Sequence, residues 1–232
     1  MSLVMKVKGY LRKFGYDVVK YHSFWDDIAQ PMGIKTILDI GANEGIFSQE
    51  MRARFSDAHI YAFEPLRDCF EELNRRMQGD ERFRSFNVAL GEAKGQSEIN
   101  RSSSHPSSSL LPMAKLHKEL YPQSAEHVKE IILVERLDDL MQNVVLETPV
   151  LVKIDVQGFE ASVIKGGRET LKRCNVVVVE NSFVTLYEGQ ALFGEIHDLL
   201  RDLGFSYRGR SETHYDPHTK EPIYEDSVFI RD

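Results

Sequence analysis

The stretch Thr36-Ile37-Leu38-Asp39-Ile40-Gly41-Ala42-Asn43-Glu44-Gly45-Ile46-Phe47 constrains the fold more than any other part of the chain. Apolar residues at 37, 38 and 40 suit a strand covered on both faces, as in a parallel sheet. Gly41 and Gly45 stand where the backbone must turn sharply and come close to a neighbour. The next residues, Ile46 to Met51, combine helix formers with an apolar stripe. A strand, a glycine turn and a helix in this order commonly bind a nucleotide-like ligand at the carboxyl end of a parallel sheet.

The pattern then repeats. A helix over 46–55 leads to a strand at His59–Phe63, which ends at Glu64-Pro65. Pro65 suits a helix N-terminus, and a helix over 66–77 follows. Phe83 to Leu90 reads as a third strand closed by Gly91. Strand, helix, strand, helix, strand is the first half of a doubly wound sheet. Short strands are expected at 96–100 and 128–135, with a helix near 112–121 and a helical turn at 137–140. Val150 to Asp155 is another buried strand, followed by helix 159–164, a Gly166-Gly167 break and a second helix to about Arg173. Val176–Val179 is the most strand-prone run, and it leads to Glu180-Asn181. Helix 191–202 carries the stripe Leu192, Ile196, Leu199 and Leu200. Residues 205–209 and 223–230 read as a closing antiparallel hairpin.

Two segments stand apart. Residues 1–35 form a helical extension or cap before the main domain at 36–232. Within it, Val4 to Tyr16 mixes basic and apolar residues as an amphipathic helix interrupted by Gly9 and Gly15. Such a basic helix can touch a membrane or partner, but it is short, and packing on the body of the fold is expected. Tyr21, His22, Phe24 and Trp25 are expected to cap the core. The serine-rich run Ser102 to Ser109, within a flexible loop at about 101–111, has too little apolar content to pack and is expected to act as a mobile lid.

Composition narrows the function. A chain of 232 residues with 42% hydrophobic and 28% charged residues has the makings of one ordinary globular domain. A net charge of −7 argues against a general nucleic-acid or anionic-membrane surface. Cys69 and Cys174 lack metal or redox spacing and read as reduced thiols. With no signal-peptide pattern and no apolar run of spanning length, a cytoplasmic location is expected.

Asp39, Glu64, Asp155 and Glu180 each fall at or near the end of a strand. Carboxyl ends of parallel strands share one crevice, so four carboxylates surround one site. Glu64, 23 residues after Gly41, is placed for a ribose diol. That also suits a nicotinamide cofactor. The turn suits it less well, because it lacks the third glycine of G-x-G-x-x-G and carries Glu44 where pyrophosphate would sit. S-adenosylmethionine has a ribose, no phosphate and two positive centres, so it matches a ring of acids better. A nicotinamide-dependent oxidoreductase and a non-catalytic binding protein remain as alternatives.

Five blocks carry a resemblance: Asp39 to Gly45, Ala62 to Pro65, Asn87 to Gly91, Leu137 to Leu140 and Lys153 to Glu160. In order and spacing the chain resembles the FkbM-type methyltransferases from about Thr36 to Phe229. The resemblance implies a class I, Rossmann-like fold with seven mostly parallel strands and a reversed strand near the C-terminus. It implies S-adenosylmethionine as methyl donor and a hydroxyl on a small molecule, sugar or natural product as acceptor. Asp39, Gly41, Asn43 and Gly45 would hold the methionine end of the cofactor, and Glu64 with Pro65 the ribose. Val88 and Ala89 would border the adenine, and Asp155 would stand near the transferred methyl.

An alcohol acceptor must lose a proton. Asp155 is the first candidate base, with Glu180 beside it in the catalytic set. His105 is a further candidate if its loop closes, although a solvated loop histidine is the plainer reading. Asp155, Glu180 and Asn181 together would also suit a hard cation such as Mg²⁺, which could hold a diol acceptor. The plainer reading is that Glu180 and Asn181 only shape the acceptor pocket.

Overall fold

The computed structural model describes residues 3–16, 23–103, 105–124 and 126–231. The N-terminal part holds α1 (Leu3–Arg12) and a π-helical turn at Trp25–Ala29 that runs on into α2 (Gln30–Met32). Then follow β1 (Thr36–Ile40), α3 (Ile46–Arg54), β2 (His59–Phe63), α4 (Arg67–Arg76), β3 (Phe83–Phe86), β4 (Ala89–Leu90) and β5 (Gly95–Ser102). α5 (Lys115–Leu120), β6 (His127–Glu135), α6 (Leu137–Met141), β7 (Val150–Ile154), α7 (Glu160–Gly166) and α8 (Arg168–Leu171) come next. The chain closes with β8 (Val176–Ser182), α9 (Phe193–Asp202), β9 (Ser206–Tyr215) and β10 (Pro222–Ile230).

Seven strands form one sheet in the order β3-β2-β1-β7-β8-β10-β9. β1 pairs in parallel with β2 on one side and β7 on the other. The pairs β2–β3 and β7–β8 are also parallel, while β10 runs antiparallel to both β8 and β9. This is the doubly wound sheet with one reversed strand expected from the sequence. Period-two alternation divides each strand between two cores. Leu38, Val152, Val177 and Phe229 pack with Ile196 and Leu200 of α9 on one face. Ile37, Leu151, Val178 and Val228 pack with Met51, Phe55 and Leu73 on the other. All five residues of β1 are buried, as its apolar run requires.

Three local expectations need correcting. The stretch 83–90 is two strands in different sheets. The Asn87 side chain donates to the carbonyls of Glu64 and Pro65, both at 2.9 Å, and breaks the run. β4 then joins a separate three-stranded sheet, β4-β6-β5. The closing hairpin is longer than read, because β9 reaches Tyr215 as a mostly exposed polar strand beside β10. Finally, α1 passes through Gly9 without a break, and Val7, Tyr10 and Phe14 are exposed rather than packed on the body.

Phe24 is buried, and Trp25 lies between Phe24 and Phe47 at ring distances of 4.9 and 5.7 Å, so these two aromatics serve the core. Tyr21 and His22 lie outside the described residues. Cys69 and Cys174 are free and buried, and burial pushes both thiols up to about 12.

Gly41 sits where β1 passes closest to β7. Its φ is +81°, and a Cβ there would lie 1.8 Å from the Asp155 carbonyl oxygen. Neither the conformation nor the space admits a side chain. Gly41→Ala is therefore expected to destabilise by about 3 kcal/mol or more in urea unfolding, and an unchanged midpoint would refute this account.

Candidate active site

The turn after β1 is built by backbone bonds. The N–H groups of Gly41 and Ala42 both donate to the Phe63 carbonyl at 3.0 Å, tying the turn to the end of β2. Asn43 and Gly45 adopt positive φ of 47° and 83°, which aims the loop back toward Glu64. Each oxygen of Glu64 then accepts one backbone N–H: Oε2 from Asn43 at 2.9 Å and Oε1 from Leu66 at 2.8 Å. A carboxylate oxygen has room for a second donor. Burial pushes the Glu64 carboxyl up to about 7 against the pull of these two bonds.

A cavity of about 250 Å³ opens at this end of the sheet. The turn and the strand ends contribute Gly41, Asn43, Glu64, Pro65, Val88 and Ala89 to its wall. The chain between β5 and α5 contributes Pro106 to Leu110, and α5 with its C-terminal neighbour contributes His117 and Tyr121. Asp155, Gln157, Glu180 and Tyr224 join these two groups. The serine-rich run is thus part of the cavity wall. Ser102 and Ser109 in it are buried, and Ser109 Oγ donates to the Gln157 carbonyl at 2.5 Å.

Carboxylates crowd one face of the sheet. Lys153 lies two residues before Asp155, so alternation puts both side chains on that face. Its Nζ is 2.8 Å from Asp155 Oδ2 and 5.3 Å from the centre of the Phe47 ring. Burial works against the charge on Asp155, but Lys153 outweighs it and holds this carboxyl below the usual range. Glu180 has no such partner at contact distance. Burial first, and then the Asp155 carboxylate, hold it well above the usual range. Asp226 of β10, paired in register with Glu180, is pushed up to about 6 by burial and by Asp155. Glu160 is pushed up to about 7 by burial, although its Oε1 accepts N–H bonds from Val156 at 3.2 Å and Gly158 at 3.0 Å.

Gln157 ties this cluster to the other wall. Its backbone is left-handed, with φ 56°. Its Nε2 donates to Asp155 Oδ1 and to Glu180 Oε1, both at 2.9 Å. Its Oε1 accepts the Tyr187 hydroxyl at 2.7 Å. The Tyr187 oxygen also lies 3.2 Å from His117 Nε2, and His117 Nδ1 lies 3.4 Å from Ser124 Oγ. Burial lowers the pKa of His117, so its ring is neutral at pH 7.

Eight of the residues singled out from the sequence line the cavity: Gly41, Asn43, Glu64, Pro65, Val88, Ala89, Asp155 and Glu180. Asp39 and Gly45 do not. Asp39 is fully buried beneath the turn, where Oδ2 accepts the Ser48 hydroxyl at 2.6 Å and Oδ1 has no hydrogen-bond partner. Gly45 caps α3, and a Cβ there would meet Leu73. The alternative metal set, Asp155, Glu180 and Asn181, fails on geometry. Neighbours on one strand face opposite ways, so Asn181 is buried on the far side of β8 from Glu180. The Gln157 amide already bridges Asp155 and Glu180. Among the described residues, no group of three or more His, Cys, Asp or Glu side chains suits a metal ion. The backbone of His105 lies in a 3₁₀ turn, and its side chain is outside the described residues.

The sequence reading assigned no role to Lys153, Gln157, Glu160, His117 or Asp226. Lys153 carried a signal, since a cation inside the apolar run Val150–Ile154 is unusual and its spacing from Asp155 fixes a shared face. His117 and Asp226 carried none, because only the tertiary fold brings α5 and β10 to the cavity.

The sheet order and the reversed strand are those of the class I methyltransferase fold. Residues 39–207 match the model of the methyltransferase FkbM domain. The 2-O-methyltransferase NoeI of Sinorhizobium fredii (strain NBRC 101917 / NGR234) is 31% identical over 170 residues, 71% of this chain and 70% of that protein. Methyltransferase sdnD of Sordaria araneosa is 29% identical over 210 residues, 80% of each chain. Among solved structures, the fibrillarin pre-rRNA processing protein of Methanococcus jannaschii is similar at a TM-score of 0.48 and 12% identity, covering 86% of this chain and 67% of that one. The chain belongs to the FkbM methyltransferase family.

The buried acids set a pH dependence. A carboxyl whose folded pKa exceeds its unfolded value binds its proton more tightly when folded, so folding stability falls as pH rises between the two values. For Glu64 and Glu160 that window runs from the ordinary 4.5 to about 7. The melting temperature of the cofactor-free protein is expected to drop across this window and level off above it. Glu160→Gln should flatten the drop, and a melting temperature that climbs from pH 5 to pH 7 would contradict the assignment.

Proposed function

We propose that this protein transfers a methyl group from S-adenosylmethionine to a hydroxyl oxygen of a small-molecule or sugar acceptor. The observation that carries the reading is the contrast between two neighbouring carboxyls, Asp155 held ionised by Lys153 and Glu180 held at raised pKa. Two acids driven apart in this way serve different tasks.

The residues present fit the cofactor. Glu64 keeps one acceptor position on each oxygen for the ribose hydroxyls. Val88, Ala89, Pro65 and Leu66 offer an apolar bed for the adenine, and the turn Gly41–Asn43 faces the methionine end. When bound, the cofactor supplies a methyl on a positively charged sulfur. Asp155, kept as an anion, stabilises positive charge at that position. Glu180, whose pKa burial and the Asp155 carboxylate raise, is the stronger base of the two carboxylates when ionised, and it is assigned the proton of the acceptor hydroxyl. This revises the preference for Asp155 as base. Gln157 fixes both carboxyls in place. Ser107, Ser108, His117, Tyr121 and Tyr224 form the acceptor side, where hydroxyl and imidazole groups can hydrogen-bond a polyol or phenol. The relative named as a 2-O-methyltransferase supports transfer to oxygen. With nucleophile and methyl held in line, positioning supplies much of the rate.

Two measurements test this. Glu180→Gln should lower kcat by about 10²–10⁴-fold on a panel of polyols and phenols assayed by S-adenosylhomocysteine release, with the affinity for S-adenosylhomocysteine kept. Mass analysis showing the methyl on nitrogen or carbon would overturn the oxygen assignment. Glu64→Ala should weaken S-adenosylhomocysteine binding in calorimetry by about 1–3 kcal/mol. A wild-type protein that binds NADH and not S-adenosylhomocysteine would sink the reading altogether.

A further inference from the structure

The segment containing α1 is patterned differently from the rest of the chain. Residues 1–16 contain Lys6, Lys8, Arg12 and Lys13 and no acid, while the other 216 residues carry 36 acids against 25 basic residues. At about 100° per residue, positions Leu3, Val4, Val7, Tyr10 and Leu11 of α1, with Phe14 in the turn that continues it, fall within an arc of roughly 120°. Lys6 and Lys13 border one side of the arc, and Lys8 and Arg12 the other. The structure agrees where it describes side chains. The Tyr10 and Phe14 rings are 5.2 Å apart and share a face, and Val7, Tyr10 and Phe14 are 46%, 63% and 61% exposed. Val7, Tyr10 and Phe14 are not buried on the body.

We propose that α1 is a membrane-surface anchor that lies in the headgroup region of an anionic phospholipid bilayer. An apolar stripe edged on both sides by basic residues has the geometry for that position: the stripe enters the acyl boundary, and the lysine ammonium groups extend sideways to lipid phosphates. Charge complementarity selects an anionic bilayer over a neutral one. The acidic body is repelled by the same surface, so contact is confined to the helix. The net charge of −7, taken over the whole chain, conceals this division. At ten residues the helix lies on a bilayer and does not cross it, and among the described residues no helix is long and apolar enough to span one. The proposal is independent of the methyl acceptor, and α1 contributes nothing to the cavity wall.

The test is flotation of the full chain with vesicles of phosphatidylcholine alone and of phosphatidylcholine with about 30% phosphatidylglycerol. The expected result is binding to the anionic vesicles only, reversed by high salt. Lys8→Glu/Lys13→Glu and Tyr10→Ser/Phe14→Ser should each cut the bound fraction by about tenfold or more. Both variants should bind S-adenosylhomocysteine like the parent, which shows that they fold and separates failure of this proposal from failure of the methyltransferase reading. Three outcomes overturn it: no anionic-vesicle binding, equal binding to both vesicle types, or binding that survives both double substitutions. If sedimentation instead reveals a dimer abolished by Tyr10→Ser/Phe14→Ser, with no vesicle binding, the face belongs to a second copy of the chain.

Discussion

Lys153 is the charge around which the site is arranged. Its ammonium pulls downward on the pKa of Asp39, Asp155, Glu180 and Asp226, carboxyls in or at the end of four strands of the sheet, but only at Asp155 does that pull outweigh burial. Buried carboxylates are costly unless paired, and one lysine in contact with one of them cannot satisfy all four. Asp155 takes the cation and ionises, and the others move toward their neutral forms. The separate tasks proposed for Asp155 and Glu180 follow from this unequal sharing. A cationic ligand would ease the same imbalance, so the electrostatics that destabilise the cofactor-free protein favour the cofactor. If the proton from an acceptor hydroxyl lands on Glu180 as the sulfonium charge is lost, the net charge inside the cavity stays constant through the transfer.

Much of the scaffold was legible in the sequence because it rests on local pattern. The strands β1, β2, β7 and β8 are apolar runs bounded by acids, glycine or proline, and their order with the intervening helices admits few topologies. What the pattern missed depended on single side chains or on neighbours distant in sequence. Nothing in the run 83–90 announces that Asn87 will bond to the carbonyls of Glu64 and Pro65. β9 hides because its exposed residues are polar on both faces, and its partner supplies the order. Of the four strand-end acids, Glu64, Asp155 and Glu180 line the cavity, but periodicity alone could not say that Asp39 is sealed under the turn. Gln157 was passed over since an amide carries no charge, although its bonds hold two carboxyls and a tyrosine in one network.

The second sheet, β4-β6-β5, has a consequence for how such a protein diversifies. It carries the chain that forms the proposed acceptor side of the cavity, and it packs through a small cluster of Leu66, Cys69, Ala89, Ile99, Ile132 and Val134. The proposed cofactor side rests mainly on the ends of the seven-stranded sheet, with Val88 and Ala89 contributed where the chain enters β4. Substitutions between Ser102 and Tyr121 can therefore reshape what the cavity admits without disturbing the strands that seat the methyl donor. One half of the pocket is fixed by the architecture, and the other is free to drift with the substrate.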